Sequence, residues 1–206
     1  MKVYKLTDEN GMTRNNTQWG ENVTHTASGD GELCSDGWIH CCADPSVAAF
    51  MNPVHAEFTR PRLWEAESSG RMVDDGGLKM GVQSLTTIRE LPCPAPTTEQ
   101  CIRFAILCTL EVTSNCEWRK WADSWLNGAD RTDVSAKKAA AAAKMYAEMA
   151  TARYPDSEDV AMMAAWVATY VVRKEQCSGA RATIDVPELA RRAMGVGITR
   201  EQNGTT

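Results

Sequence analysis

A chain of 206 residues with 43% apolar side chains can bury one large core or two small ones, which excludes a low-complexity or disordered polypeptide. The formal net charge is −5, with 8 Lys+Arg against 13 Asp+Glu in residues 1–95 and 14 against 14 in residues 96–206. No basic stripe emerges, so direct nucleic-acid binding is not expected.

Val3-Tyr4-Lys5-Leu6 reads as a short strand, followed by a turn at Glu9-Asn10-Gly11. Thr13 to Thr24 is an irregular polar segment carrying Arg14, Gln18 and Trp19, a combination able to clamp an anionic or planar ligand or simply to form a surface loop. Gly29-Asp30-Gly31 is a further turn, and Trp38 to Cys42 a second strand. Asp44 is a natural N-cap with Pro45 at the first helical position, so a short helix is expected over Ser46 to Phe50, ended by Asn52-Pro53. Arg62 to Glu67 and Leu85 to Leu91 read as strands around a turn at Asp74-Asp75-Gly76-Gly77. Pro92, Pro94 and Pro96 make a stiff joint.

Beyond that joint the pattern turns helical. Thr97 or Thr98 caps a helix through about Val112, and a second runs from about Asn115 to Leu126, with Gly128 as its stop. An Ala-rich third extends from Asp133 or Ser135 to about Arg153, and a nearly all-apolar fourth from Asp156 or Ser157 to about Lys174. A short fifth opens at Asp185 with Pro187 and closes at Gly195. The expected class is therefore α+β. A small, mostly antiparallel sheet with one short helix (1–95) precedes a bundle of four to five helices (96–196), and 197–206 form a disordered tail.

The eight cysteines resist a disulfide framework. Cys101 and Cys108 fall on one helix roughly 10 Å apart along its axis, and the adjacent Cys41 and Cys42 point to opposite faces of a strand. Buried free thiols are expected. No apolar run follows Lys2 and Lys5, so no secretory signal is read. The longest apolar stretch, Val160 to Val172, is too short for a bilayer and is interrupted by Thr169 and Tyr170. These features point to a cytoplasmic protein without membrane association.

Several residues could carry chemistry. His40 lies in a strand and is either a ligand-binding or catalytic group or a half-buried histidine bonded to backbone. Glu65 and Glu67, two apart on one strand, share a face and could act as a carboxylate pair or be solvated. Trp118, Trp121 and Trp125 recur on one helical face, which serves as packing or, if exposed, as a partner-binding patch. Cys34, His40, Cys41 and Cys42 lack zinc-site spacing, so no metal is assigned. There is no phosphate-binding glycine loop and no nucleophile elbow.

The stretch Asp36-Gly37-Trp38-Ile39-His40-Cys41-Cys42-Ala43-Asp44-Pro45 resembles the Gly-Trp/Phe-His-x-Cys-x-x-Pro core of a domain of unknown function found in tailed phages and prophages. Arg62 to Gly70 resembles that family's Arg-Phe-x-Glu-Val-Glu-x-x-Gly segment, and Asp74-Asp75 with Thr87 to Leu91 its closing strand. Arg14 and Gln18 match an upstream Arg and Gln, and an Ala-rich helical part follows here from Phe104. The resemblance implies a phage accessory protein and no particular activity.

Three functions follow as expectations. The leading one is non-enzymatic: an accessory protein in the host cytoplasm that binds or inhibits a host or phage protein, such as a defence factor. It would use Trp118, Trp121, Trp125 and Glu65, need no cofactor, and allow homo-oligomers through the helical half. The alternative is an ADP-ribosyltransferase-like enzyme or nucleotide binder using NAD, with Arg14 on a phosphate, His40 lining the cleft and Glu67 as catalytic carboxylate. The third is a structural or scaffold protein of the virion.

Overall fold

The computed structural model describes residues 1–132, 167–169 and 184–195. The fold is α+β, with an antiparallel sheet in the N-terminal half and helices after it. The sheet contains β1 (Lys2–Thr7), β4 (Thr24–Thr26), β5 (Ile39–Cys41), β6 (Arg62–Asp74) and β7 (Met80–Leu91), ordered β1-β6-β7-β4 with β5 also on β7. A separate two-stranded ribbon joins β2 (Met12–Thr13) to β3 (Thr17–Gln18).

The long β6–β7 hairpin shifts register between Glu65 and Ala66 and again between Ser69 and Met72. Such irregularities bend a strand and strengthen its twist. The curl brings the end of β5 back to the first strand, where Tyr4 and Cys42 exchange main-chain hydrogen bonds of 2.8 and 2.9 Å. The circuit β1-β6-β7-β5-β1 is thereby closed. Val3, Cys41, Ala66, Met80, Val82 and Leu85 pack on one side of it, with Trp19 folded over them from the polar segment.

The other side is covered by helices. α1 (Pro45–His55) starts as expected: Asp44 Oδ1 accepts from Ser46 N at 2.8 Å and Pro45 fills the first turn. It runs one turn further than the sequence suggests, through Pro53. A proline near the end removes only one hydrogen bond, and Asn52 fastens the exit by bonding both the N–H and the carbonyl of Phe58. α2 (Thr98–Val112) opens on a capping box between Thr97 and Gln100, α3 (Cys116–Leu126) on Asn115, and α4 (Val186–Met194) on Asp185, with Gly195 left-handed at its end.

One apolar cluster crosses the proline joint. Val47, Phe50, Met51, Leu63 and Leu78 from the N-terminal part meet Cys101, Phe104 and Cys108 of α2 and Val186, Leu189 and Ala190 of α4. Phe50 and Phe104 stack at 4.6 Å with their planes 12° apart. The change of secondary structure near residue 95 is therefore not a break in the core. The third expected helix, most of the fourth and the tail lie outside the described residues. Among the described residues no helix is long and apolar enough to cross a membrane.

Candidate functional site

Residues from seven segments surround a cavity of about 340 Å³ beside the β1–β5 closure, within the range of small-molecule sites. β1 contributes Lys5, the 13–19 segment Arg14 and Trp19, β4 His25, and the 34–36 loop Cys34 and Asp36. β5 adds His40, and the end of α1 His55. Lys79, preceding β7, completes the wall. All three histidines of the chain line this one space.

Its electrostatics oppose those of the surrounding half-chain. Residues 1–95 are net acidic, yet the cavity carries Lys5, Arg14 and Lys79 against a single carboxylate, Asp36. That carboxylate is exposed and accepts from Asn15 Nδ2 at 3.2 Å. Lys5 and Lys79 are only 7% and 8% exposed. Neither they nor Arg14 form an ion pair with any described residue.

Lys5 is buried by strand geometry. Period-two alternation places it on the face of Val3 and Thr7, inside the closed sheet. Its Nζ donates to the His40 carbonyl at 2.8 Å and stands 5.2 Å from the centre of a Trp19 ring. Burial pushes its pKa down to about 8, opposed weakly by Cys41 and Cys42. The same burial raises both thiols to about 12, so they stay neutral. Lys79 Nζ donates to Cys34 Sγ at 3.1 Å.

His40 is held by its ring: Nε2 faces the Leu33 carbonyl. An oxygen acceptor there requires the proton on Nε2 and leaves Nδ1 as an acceptor. Burial lowers its pKa, the Leu33 bond opposes this, and the charges of Lys79, Lys5 and Arg14 add to the lowering. His40 is thus neutral at pH 7. His25 bonds the Gln18 carbonyl at 2.8 Å and packs edge-on to Trp19 at 4.6 Å.

The walls rest on tight backbone. Gly37 has no room for a side chain, since a Cβ there would stand 1.8 Å from the Asp30 carbonyl oxygen. A Cβ on Gly81 would meet Leu33 Cδ1 at 2.6 Å and Trp38 Cβ at 2.9 Å. Together these contacts seat the 28–38 loop against β7.

The structure brings Arg14 and His40 to one cavity. It does not bring Glu67, which is exposed on β6 opposite Lys2 and Thr86 and absent from the lining. Glu65 shares the other carboxylate's face but is engaged by Arg89 at 2.9 Å and Lys2 at 3.2 Å, which hold its carboxyl below the usual range. Glu67 stands at the end of the β1–β6 pairing, two positions beyond the Tyr4–Glu65 pair, and is not brought to this cavity.

The tryptophans of α3 lie against α2. Trp118 and Trp125 are 6% and 8% exposed and pack with Ile106 and Ala122 between α2 and α3, so they are core rather than surface. Trp121, half-buried, has its indole Nε1 buried without a hydrogen-bond partner among the described residues.

Sequence reasoning passed over Lys5, Lys79, His25 and His55. Only the lone lysine inside an otherwise apolar strand start was a usable signal. No cysteine among the described residues is in a disulfide; Cys34 and Cys116 are exposed, and Cys41, Cys42, Cys101 and Cys108 buried. No group of three or more potential metal ligands occurs among the described residues. Comparison with family models, curated proteins and solved structures finds no match for the chain.

Proposed function

We propose that the protein is a binding module whose cavity takes a small phosphate-bearing ligand of the nucleotide class. The observation that carries this is the pair of buried ammonium groups, Lys5 and Lys79, facing one cavity with Arg14 and without a carboxylate partner among the described residues. Burying an uncompensated cation costs several kcal/mol unless an anion is supplied, and a bound phosphate supplies it. Neutral His40, its Nε2 held by the Leu33 carbonyl, offers Nδ1 as an acceptor, and Trp19 and Trp38 supply planar walls.

Binding, rather than transfer of ADP-ribose, is what the lining supports, because among the described residues its only carboxylate is exposed Asp36. The accessory role in a phage-infected cell stays part of this proposal, with ligand capture in place of a tryptophan docking face. The test is thermal denaturation with pyrophosphate, ATP and NAD, and with adenosine as the uncharged control. A phosphate-dependent rise in melting temperature is expected, and Lys79→Met removes it. No stabilisation by any phosphate compound at millimolar concentration overturns the reading.

A further inference from the structure

Besides facing an anion as an ammonium, Lys5 has a neutral form with chemistry of its own. A lysine becomes a nucleophile when its ammonium is desolvated and no carboxylate or phosphate holds the proton on it. The groups facing Lys5 are the Trp19 ring, the His40 carbonyl, the two neutral thiols of Cys41 and Cys42, and neutral His40 itself. None is a carboxylate. The other lysines of the N-terminal half differ: Lys79 is held on Cys34 Sγ, and Lys2 is exposed and paired with Glu65.

We propose that Lys5 is a reactive amine through which the cavity captures small anionic aldehydes or ketones as an imine. This rests on the anion-binding reading, with Arg14 and Lys79 holding the anionic group while the carbonyl carbon meets Nζ. In the step, the lone pair of neutral Nζ adds to the carbonyl carbon, and the carbonyl oxygen takes up a proton to give a carbinolamine. The C–O bond then breaks, the oxygen leaves as water with the remaining transferable amine proton, and a C=N bond is left. No oxidant or reductant is consumed.

The required free base is present. Burial lowers the Lys5 pKa to about 8, so at pH 7 the neutral amine is far more populated than in an ordinary exposed lysine. Lys5 is one of the residues that line the cavity, the space from which a carbonyl compound would meet its Nζ.

The experiment uses the full chain with pyridoxal phosphate as probe, reduction by borohydride, and peptide mapping of the stable secondary amine. Label concentrated on Lys5, saturable and suppressed by excess pyrophosphate, is expected, and Lys5→Arg lowers it by about tenfold or more. Label spread over exposed Lys2 and Lys120 with Lys5 unmodified overturns the proposal. So does Lys5 label that neither saturates nor yields to pyrophosphate. Pyridoxine phosphate, which lacks the carbonyl, separates the two readings. Its binding without Lys5 label under the aldehyde overturns the imine and leaves anion binding standing, whereas loss of both overturns both. Should Lys5→Arg not fold, the labelling rate of the unaltered chain decides the matter: it must rise with pH and level off near pH 8, and a rise continuing past pH 10 is the signature of ordinary surface lysines.

Discussion

The Nζ of Lys5, on the first strand, donates a 2.8 Å hydrogen bond to the main-chain carbonyl of His40, on the fifth. The bond crosses the point where the sheet closes on itself, so it couples the ionisation of one cavity residue to the position of another. It also places a charge where folding has to work against it.

That charge has a pH signature. The Lys5 pKa falls from 10.5 unfolded to about 8 folded. Between these values the unfolded chain binds the proton and the folded one does not, so this group's contribution to stability rises with pH across that window. The raised thiols of Cys41 and Cys42 act oppositely above about pH 9, so the comparison must be with Lys5→Met. Urea unfolding at pH 7 and pH 10 should show the stability difference shifting toward the unaltered chain by about 2–3 kcal/mol. A difference that does not move with pH refutes the assignment.

Arg14 is exposed and makes no ion pair with a described residue, so its charge is available to a ligand. Arg14→Ala should leave the unfolding free energy within about 0.5 kcal/mol and weaken phosphate binding about tenfold or more. Calorimetric titration with pyrophosphate checks this, and unchanged affinity removes Arg14 from the site.

Asp44 does two jobs with two oxygens. Oδ1 caps α1 through Ser46 N, and Oδ2 pairs with Arg191 of α4 at 2.8 Å. Asp44→Asn keeps the cap and should cost about 1 kcal/mol, whereas Asp44→Ala loses both and should cost about 2–4 kcal/mol. Chemical denaturation of the two variants measures the gap, and equal losses would mean that the capping bond contributes nothing.

Phe104 is fully buried and stacked on Phe50 across the proline joint. Phe104→Ala should destabilise by about 3–5 kcal/mol. Because the apolar cluster is continuous, indole resonances of Trp64 in the sheet, of Trp38 in the loop before β5 and of Trp118 and Trp125 in the helices should broaden over one transition. Two transitions would show two independent units.

Local chemistry was sufficient to read much of this fold. The Asp44-Pro45, Thr97 and Asp185 starts, the Gly195 stop and the first strand all stand where their residue types put them. Each depends on interactions within a few positions of the chain. The end of α1 was misread because Pro53 is tolerated once Asn52 holds Phe58, a contact that no short pattern announces. The segment from 13 to 26 also concealed two short ribbon strands and β4, whose partners lie within the ribbon and on β7.

The cavity was legible only as scattered members. Arg14, Trp19 and His40 stood out by type, but which side chains face one another depends on curvature. Two register shifts in β6–β7 and the Tyr4–Cys42 bridge turn a flat sheet into a closed one, and closure converts Lys5 from an exposed-looking lysine into a buried one. The same pairings leave Glu67 outside, at the end of the β1–β6 ladder opposite Lys2. Segment identity was thus set by bonds between near neighbours in the chain, whereas the site was set by pairings that span tens of residues and acquire direction only once the sheet has closed.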